Sequence, residues 1–214
     1  MTVINHHARL AAPMLLALLL LSGPAANAAG VTYVGPKLGI MSVDVACPGG
    51  VSGDCASQGL GAGFIAGYNL FGKNAGIPVN LAGGTVAIEV DFTWGLTELS
   101  SDSSGGGFTY SSTWKENMQG AFVAFRYPFT SSFFVQARAG GGNREVVGEY
   151  VVTEQATGIS TTTDVREGKS VSAYGVSAGL DFGGGQLRFD VLQFQHDNAS
   201  STTDTIGLSY TFSF

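Results

Sequence analysis

Across 214 residues the chain sets 16 acids against 10 bases, a formal net charge of −6. That balance argues against nucleic acid as a partner, since such affinity rests on Lys and Arg neutralising phosphates. Charged residues make up only 12% while Gly numbers 32, and the absence of a 3.6-residue apolar period excludes a helical bundle and points to an all-β chain.

Residues 1–28 read as an export signal. Arg9 supplies the positive region, Leu10 to Leu21 the apolar core, and Ala26-Asn27-Ala28 a small-residue cleavage site. Cleavage is expected after Ala28. The apolar run is shorter than the ~20 residues of a spanning helix, and it contains Pro13. The mature part, residues 29–214, is long enough for one domain. Because Arg9 leaves with the signal, nine bases and all sixteen acids remain, a net charge of −7.

The first predicted strand, VTYVGPKLGIM, puts Val34, Pro36, Leu38 and Ile40 on one face and Tyr33, Gly35, Lys37 and Gly39 on the other. In the second, GLGAGFIAGYNL, Ala62, Phe64, Ala66, Tyr68 and Leu70 alternate with Gly61, Gly63, Ile65, Gly67 and Asn69. The third is the clearest: Val86, Ile88, Val90, Phe92, Trp94 and Leu96 alternate with Ala87, Glu89, Asp91, Thr93 and Gly95. A Ser/Gly-rich loop then leads to a fourth strand over 117–127, ended by Pro128, and a short turn at 129–132 opens the fifth, FFVQARAGGG. Residues 143–169 are polar with β-favouring flanks and predict a long hairpin arm. VSAYGVSAGLDF and QLRFDVL, joined by Gly183-Gly184-Gly185, form the sixth and seventh strands. Beyond Val191 the seventh loses its pattern, with Gln193 on the apolar side and Leu192 and Phe194 on the polar side, which suggests a bulge or an early exit.

The last strand is IGLSYTFSF, where Ile206, Leu208, Tyr210, Phe212 and Phe214 alternate with small polar residues. This terminal aromatic pattern resembles the C-terminal signature of bacterial outer-membrane barrels, and YVGPKLG and AGYN resemble the eight-stranded OmpA-type and related small barrels. The resemblance implies an eight-stranded antiparallel up-and-down transmembrane β-barrel in the outer membrane of a Gram-negative-type bacterium, with porin-like relatives. It implies contact with lipid and lipopolysaccharide, and Tyr210, Phe212 and Phe214 as the segment offered to the barrel assembly machinery. OmpA's peptidoglycan-binding domain has no counterpart here, so an anchoring role is not expected. Connections are long after strands one, three, five and seven and short after four and six, as barrels show. The misfit is 71–84, long for a periplasmic turn, where a small helix or an extra strand is open.

With the apolar faces in lipid, Lys37, Glu89, Asp91, Arg126, Arg138, Asp181, Arg188 and Asp190 all point inward, four bases against four acids. They form either a gate or ion path, or a structural plug. Narrow barrels are filled by side chains, which favours the plug. The aromatics Tyr68, Trp94, Trp114, Tyr127, Phe133, Phe182, Tyr210, Phe212 and Phe214 lie near predicted strand ends and read as interfacial belts. The outer loops are expected to carry any contact with surface ligands, and a small-solute channel is the alternative.

His196 is the one mature histidine. It invites comparison with the outer-membrane lipid A deacylases, in which a Ser stands two residues after the His. Here that position is Asn198, Ser200 is four residues away, and the acidic partner is missing. No catalytic residue, cofactor or metal site is therefore assigned, and the expectation is a protein that is not an enzyme. Two Cys are too few for a zinc site.

In an exported chain Cys47 and Cys55 are expected to form one disulfide across CPGGVSGDC. So short a closure would contribute about 2 to 3 kcal/mol at most, so its role is to shape a loop. Mass spectrometry of non-reduced mature protein should find no alkylatable thiol, and two free thiols on fresh protein would refute the bridge.

Overall fold

The computed structural model describes residues 32–44, 52–54, 57–72, 75–182, 184–195 and 202–214. The signal segment, Cys47, Cys55, His196, Asn198 and Ser200 lie outside them. Eleven strands follow in chain order: β1 (Thr32–Asp44), β2 (Ser52–Asp54), β3 (Ser57–Gly72), β4 (Ile77–Pro78), β5 (Thr85–Gly95), β6 (Leu99–Gly105), β7 (Phe108–Pro128), β8 (Phe133–Glu154), β9 (Ser160–Asp181), β10 (Gly185–Gln195) and β11 (Thr202–Ser213). No described residue is helical.

Eight of these strands pair antiparallel in a circuit, β1–β3–β5–β7–β8–β9–β10–β11 and back to β1. Two pairings join distant or extended partners. β1 meets β11, with Tyr33 opposite Ser213 and Val43 opposite Thr203. β7 meets β8 along their whole lengths, from Phe108 opposite Glu154 to Pro128 opposite Phe134. Each strand of the circuit therefore has a neighbour on both sides, which satisfies its backbone N–H and C=O groups within the sheet.

The result is not a plain eight-stranded cylinder, and the expected count of eight needs correction. β6, read from the sequence as part of a Ser/Gly loop, is a strand paired with β7 through a hairpin. Its two turn residues, Gly106 and Gly107, have φ of 62° and 86°, the left-handed pair that a tight hairpin requires and that Gly adopts without penalty. β2 in turn pairs with β6. The long hairpin arm expected at 143–169 is present, as the continuation of β8 and β9, in register from Asn143 opposite Ser170 to Thr153 opposite Ser160. Backbone pairing and the β-branched Val and Thr residues keep these segments extended although they lack clean apolar alternation.

Two further points differ from the sequence reading. β10 stays in unbroken register with β11 and β9 through Gln195, without the bulge expected beyond Val191. Leu192 and Phe194 are fully buried and join an apolar interior cluster, so the change in pattern marks a change in what fills the lumen. In 71–84 the extra strand is present: β4 lies parallel to the end of β3, and Leu81 and Gly84 form a bridge over Ala82 and Gly83. The Asn80 side chain accepts the Ala82 N–H at 3.1 Å and helps hold Ala82 at φ 53°.

At one end of the circuit the connections are compact. Phe129 N–H donates to Phe133 O at 2.9 Å, and Phe182 N–H to Gly185 O at 2.8 Å. At the other end β6 to β9 rise beyond the circuit as a wall. Eight β7–β8 pairs, from Phe108 to Lys115, lie above it, a length of about 27 Å along the strand.

Candidate functional site

Alternation along the eight strands puts one set of side chains outside and the other into a shared interior. The outer set is apolar and exposed: Leu38 is 58% exposed, Val123 61%, Val176 59% and Leu208 53%. Tyr210, Phe212 and Phe214 belong to it, at 37%, 52% and 47%. The interior holds the charges. Lys37, Glu89, Asp91, Arg138, Arg188 and Asp190 are all buried, while Arg126 and Asp181 are partly exposed at one end.

At that end Arg126 pairs with Asp181 and lays its guanidinium over the Phe134 ring, 3.8 Å from the centroid. Room for large interior rings comes from glycines on neighbouring strands: a Cβ on Gly67 would collide with Tyr33, and one on Gly179 with Phe134.

The next level is a closed network of three bases and three acids from four strands. Glu89 accepts from Arg188 Nη1 at 2.8 Å, from Gln136 Nε2 at 2.9 Å and from the Tyr33 hydroxyl, and lies 3.5 Å from Arg138 Nη1. Asp91 accepts from Lys37 Nζ and Arg138 Nη1, each at 3.0 Å, and from Thr93 Oγ1 at 3.1 Å. Asp190 accepts from Ser177 Oγ at 2.6 Å, Ser209 Oγ at 2.9 Å and Arg188 Nε at 3.1 Å, with Arg138 Nη2 at 3.3 Å. Arg138 is the hub, since it alone reaches all three carboxylates.

Above this network the lumen turns apolar. Met41, Met118, Phe122, Val171, Ala173, Leu192 and Phe194 pack as one buried cluster, and the Phe122 ring lies 5.1 Å from the Arg138 guanidinium. A second ionic level stands beyond it: Glu116, fully buried, pairs with Arg144 and accepts from Thr203 Oγ1 at 3.2 Å and Trp114 Nε1 at 3.4 Å. The sequence analysis assigned neither level: Glu116 lies just before the strand expected over 117–127, and Trp114, expected in an interfacial belt, shares the lumen-side face with Glu116. Continuing the strand parity of Met118 by one step would have found the carboxylate.

Three buried acids balanced by three bases make single-partner loss costly, because an unpaired buried charge is left behind. Arg138→Met should lower the unfolding free energy of detergent-folded protein in urea by about 3 to 5 kcal/mol. The double variant with Asp190→Asn should lose less than the sum of the two single changes. Arg166→Met, which removes an exposed pair with Glu145, should stay within about 0.5 kcal/mol of the parent. Equal effects at positions 138 and 166 would refute the network's structural role.

No protein-family profile matches the chain, and no curated protein matches it in sequence. In structure it is similar to small outer-membrane barrels. The Ail attachment invasion locus protein of Yersinia pestis is 13% identical with a TM-score of 0.42, over 86% of this chain and 99% of that one. Neisserial surface protein A is 12% identical at 0.45, over 87% and 99%. The N-terminal β-barrel domain of OprF from Pseudomonas aeruginosa is 8% identical at 0.47, over 86% and 99%.

Proposed function

We propose that the chain is an exported outer-membrane β-barrel, closed to solutes, whose wall and outer connections make contacts at the cell surface. The observation that carries this is its inversion: charges fill the interior, and the outer face of all eight circuit strands is apolar. In water, so large an exposed apolar surface would drive association. In a bilayer the arrangement is the stable one, since a closed set of strands leaves no backbone edge in hydrocarbon.

Dimensions agree with that placement. β5 and β10 are 11 residues long and β11 is 12, close to the nine to eleven residues, tilted by about 40°, that cross an outer membrane. At one boundary of the apolar band the Tyr174 hydroxyl bonds Gln193, and Gln193 Nε2 donates to Asp204 at 2.8 Å. At the other, Tyr127, Phe129, Phe133, Phe182, Phe212 and Phe214 supply an aromatic girdle. Lipid and lipopolysaccharide cover the band, and the exposed Tyr210, Phe212 and Phe214 are what the assembly machinery reads. Export through the 1–28 signal and a Cys47–Cys55 bridge in the first outer connection belong to the same reading.

Closure rests on the order of filling. Ions entering the lumen would meet a neutralised charge level and a packed apolar level in series, and eight strands leave room only for side chains. Function is then left to the wall and outer connections. In planar bilayers the pure protein should give no steady open current, and large sustained currents would overturn closure. Replacing residues 146–166 by a two-residue Asn-Gly turn should keep the gel shift between unboiled and boiled protein while reducing attachment to cells, matrix or phage. Attachment unchanged after removal of each outer segment in turn would overturn the surface-contact reading.

A further inference from the structure

The wall formed by β6 to β9 has two chemically different faces. Glu116 and Arg144 pair inside the circuit, so they mark which face of β7 and β8 continues the lumen. By strand alternation Tyr110 and Ser112 of β7, Tyr150 and Val152 of β8 and Thr163 of β9 share that face. The rings of Tyr110 and Tyr150 stack at 6.1 Å with 20° between planes, and Phe108 adjoins Tyr110 at 6.4 Å. Three consecutive rows on four strands, from the row of Trp114 to that of Tyr110, carry no charged side chain on this face. The opposite face of the same rows bears Asp102, Glu149 and Asp164, with the last two directly opposed.

An uncharged aromatic and hydroxyl surface in this setting selects its ligand by charge and by size. Residues 98–116 and 144–169 hold eight acids against four bases, so a polyanion is repelled and the polar requirement falls on neutral hydroxyls. Leu99 and Ser103 of β6 are buried, so with strands about 4.8 Å apart and same-face residues about 6.7 Å apart, the open part, three rows on β7, β8 and β9, covers only about 290 Å². A stable protein interface needs roughly 800 Å² on each side. A few sugar rings fit the smaller area: their C–H faces lie on the tyrosine rings, and their hydroxyls exchange hydrogen bonds with Ser112, Thr163 and the tyrosine O–H groups. Tyrosine with serine also supplies rigid contact at low entropic cost.

We infer that the lumen-side face of the wall, centred on the Tyr110–Tyr150 stack, binds a short neutral oligosaccharide. This rests on the surface-contact reading and names its ligand class.

The test titrates full-length protein in lipid nanodiscs with chitohexaose, maltohexaose and, as the anionic counterpart, polygalacturonate, read by saturation-transfer NMR. At least one neutral probe should bind saturably and polygalacturonate should not. The Tyr110→Ser/Tyr150→Ser variant, with its gel shift intact, should bind that probe about tenfold or more weakly, while Thr113→Ala on the other face should bind it as the parent does. No saturable neutral probe, equal binding by the double variant, or equal binding of polygalacturonate would each overturn the inference. If no sugar binds yet removal of 146–166 still abolishes attachment, the glycan inference fails and the surface-contact reading stands. If a sugar binds but attachment survives that removal, the reverse holds.

Discussion

Everything in this structure depends on how six charges are kept away from water. Lys37, Arg138 and Arg188 face Glu89, Asp91 and Asp190 in the lumen, all buried. Desolvating such ions costs several kcal/mol each, and mutual attraction offsets this only where hydrogen bonds are also complete. Here Ser177, Ser209, Thr93, Gln136 and Tyr33 donate the remaining bonds to the carboxylates. Arg138 Nε and Arg188 Nη2 are buried without a hydrogen-bond partner among the described residues, so the completion is on the acid side. The requirement is reciprocal: the network holds β1, β5, β8 and β10 at fixed register, and the closed strand circuit keeps those residues within reach of one another.

The apolar level built by Met41, Met118, Phe122, Leu192 and Phe194 separates this network from the Glu116–Arg144 pair. Water admitted there would have no polar partner. Two of the strands that build this seal, β7 and β9, continue upward into the wall, so the rigid lumen is also the foundation for the surface that stands beyond the circuit. Rigidity below and an accessible face above are a common division of labour between a scaffold and the segments that carry function.

Much of the circuit was legible in the chain. Strict alternation in 85–95 and 206–214 declares both the strand and its two faces, and the inward parity of Glu89, Asp91, Arg188 and Asp190 follows from it. What was obscure has physical causes. Segments 99–105 and 143–169 lack alternation because they extend beyond the strand circuit, where neither face is uniformly apolar, so their strands are set by pairing across the sheet. Leu192 and Phe194 broke the rule of a polar interior because the lumen is layered, a property of stacked rows on different strands that no single segment displays. Which partners Arg138 would join was likewise hidden, since they lie on β5 and β10, distant in sequence from β8.

The central claim is that the lumen is sealed at its apolar level, and thiol accessibility tests it most directly. With Cys47 and Cys55 replaced by Ser, a single cysteine is introduced by Met118→Cys, within the buried cluster, or by Thr109→Cys, on the exposed wall. A charged, membrane-impermeant thiol reagent should label position 109 readily and leave position 118 unreacted in folded protein from either side of the membrane. Labelling at 118 as fast as at 109 would show a water-filled lumen and contradict the account.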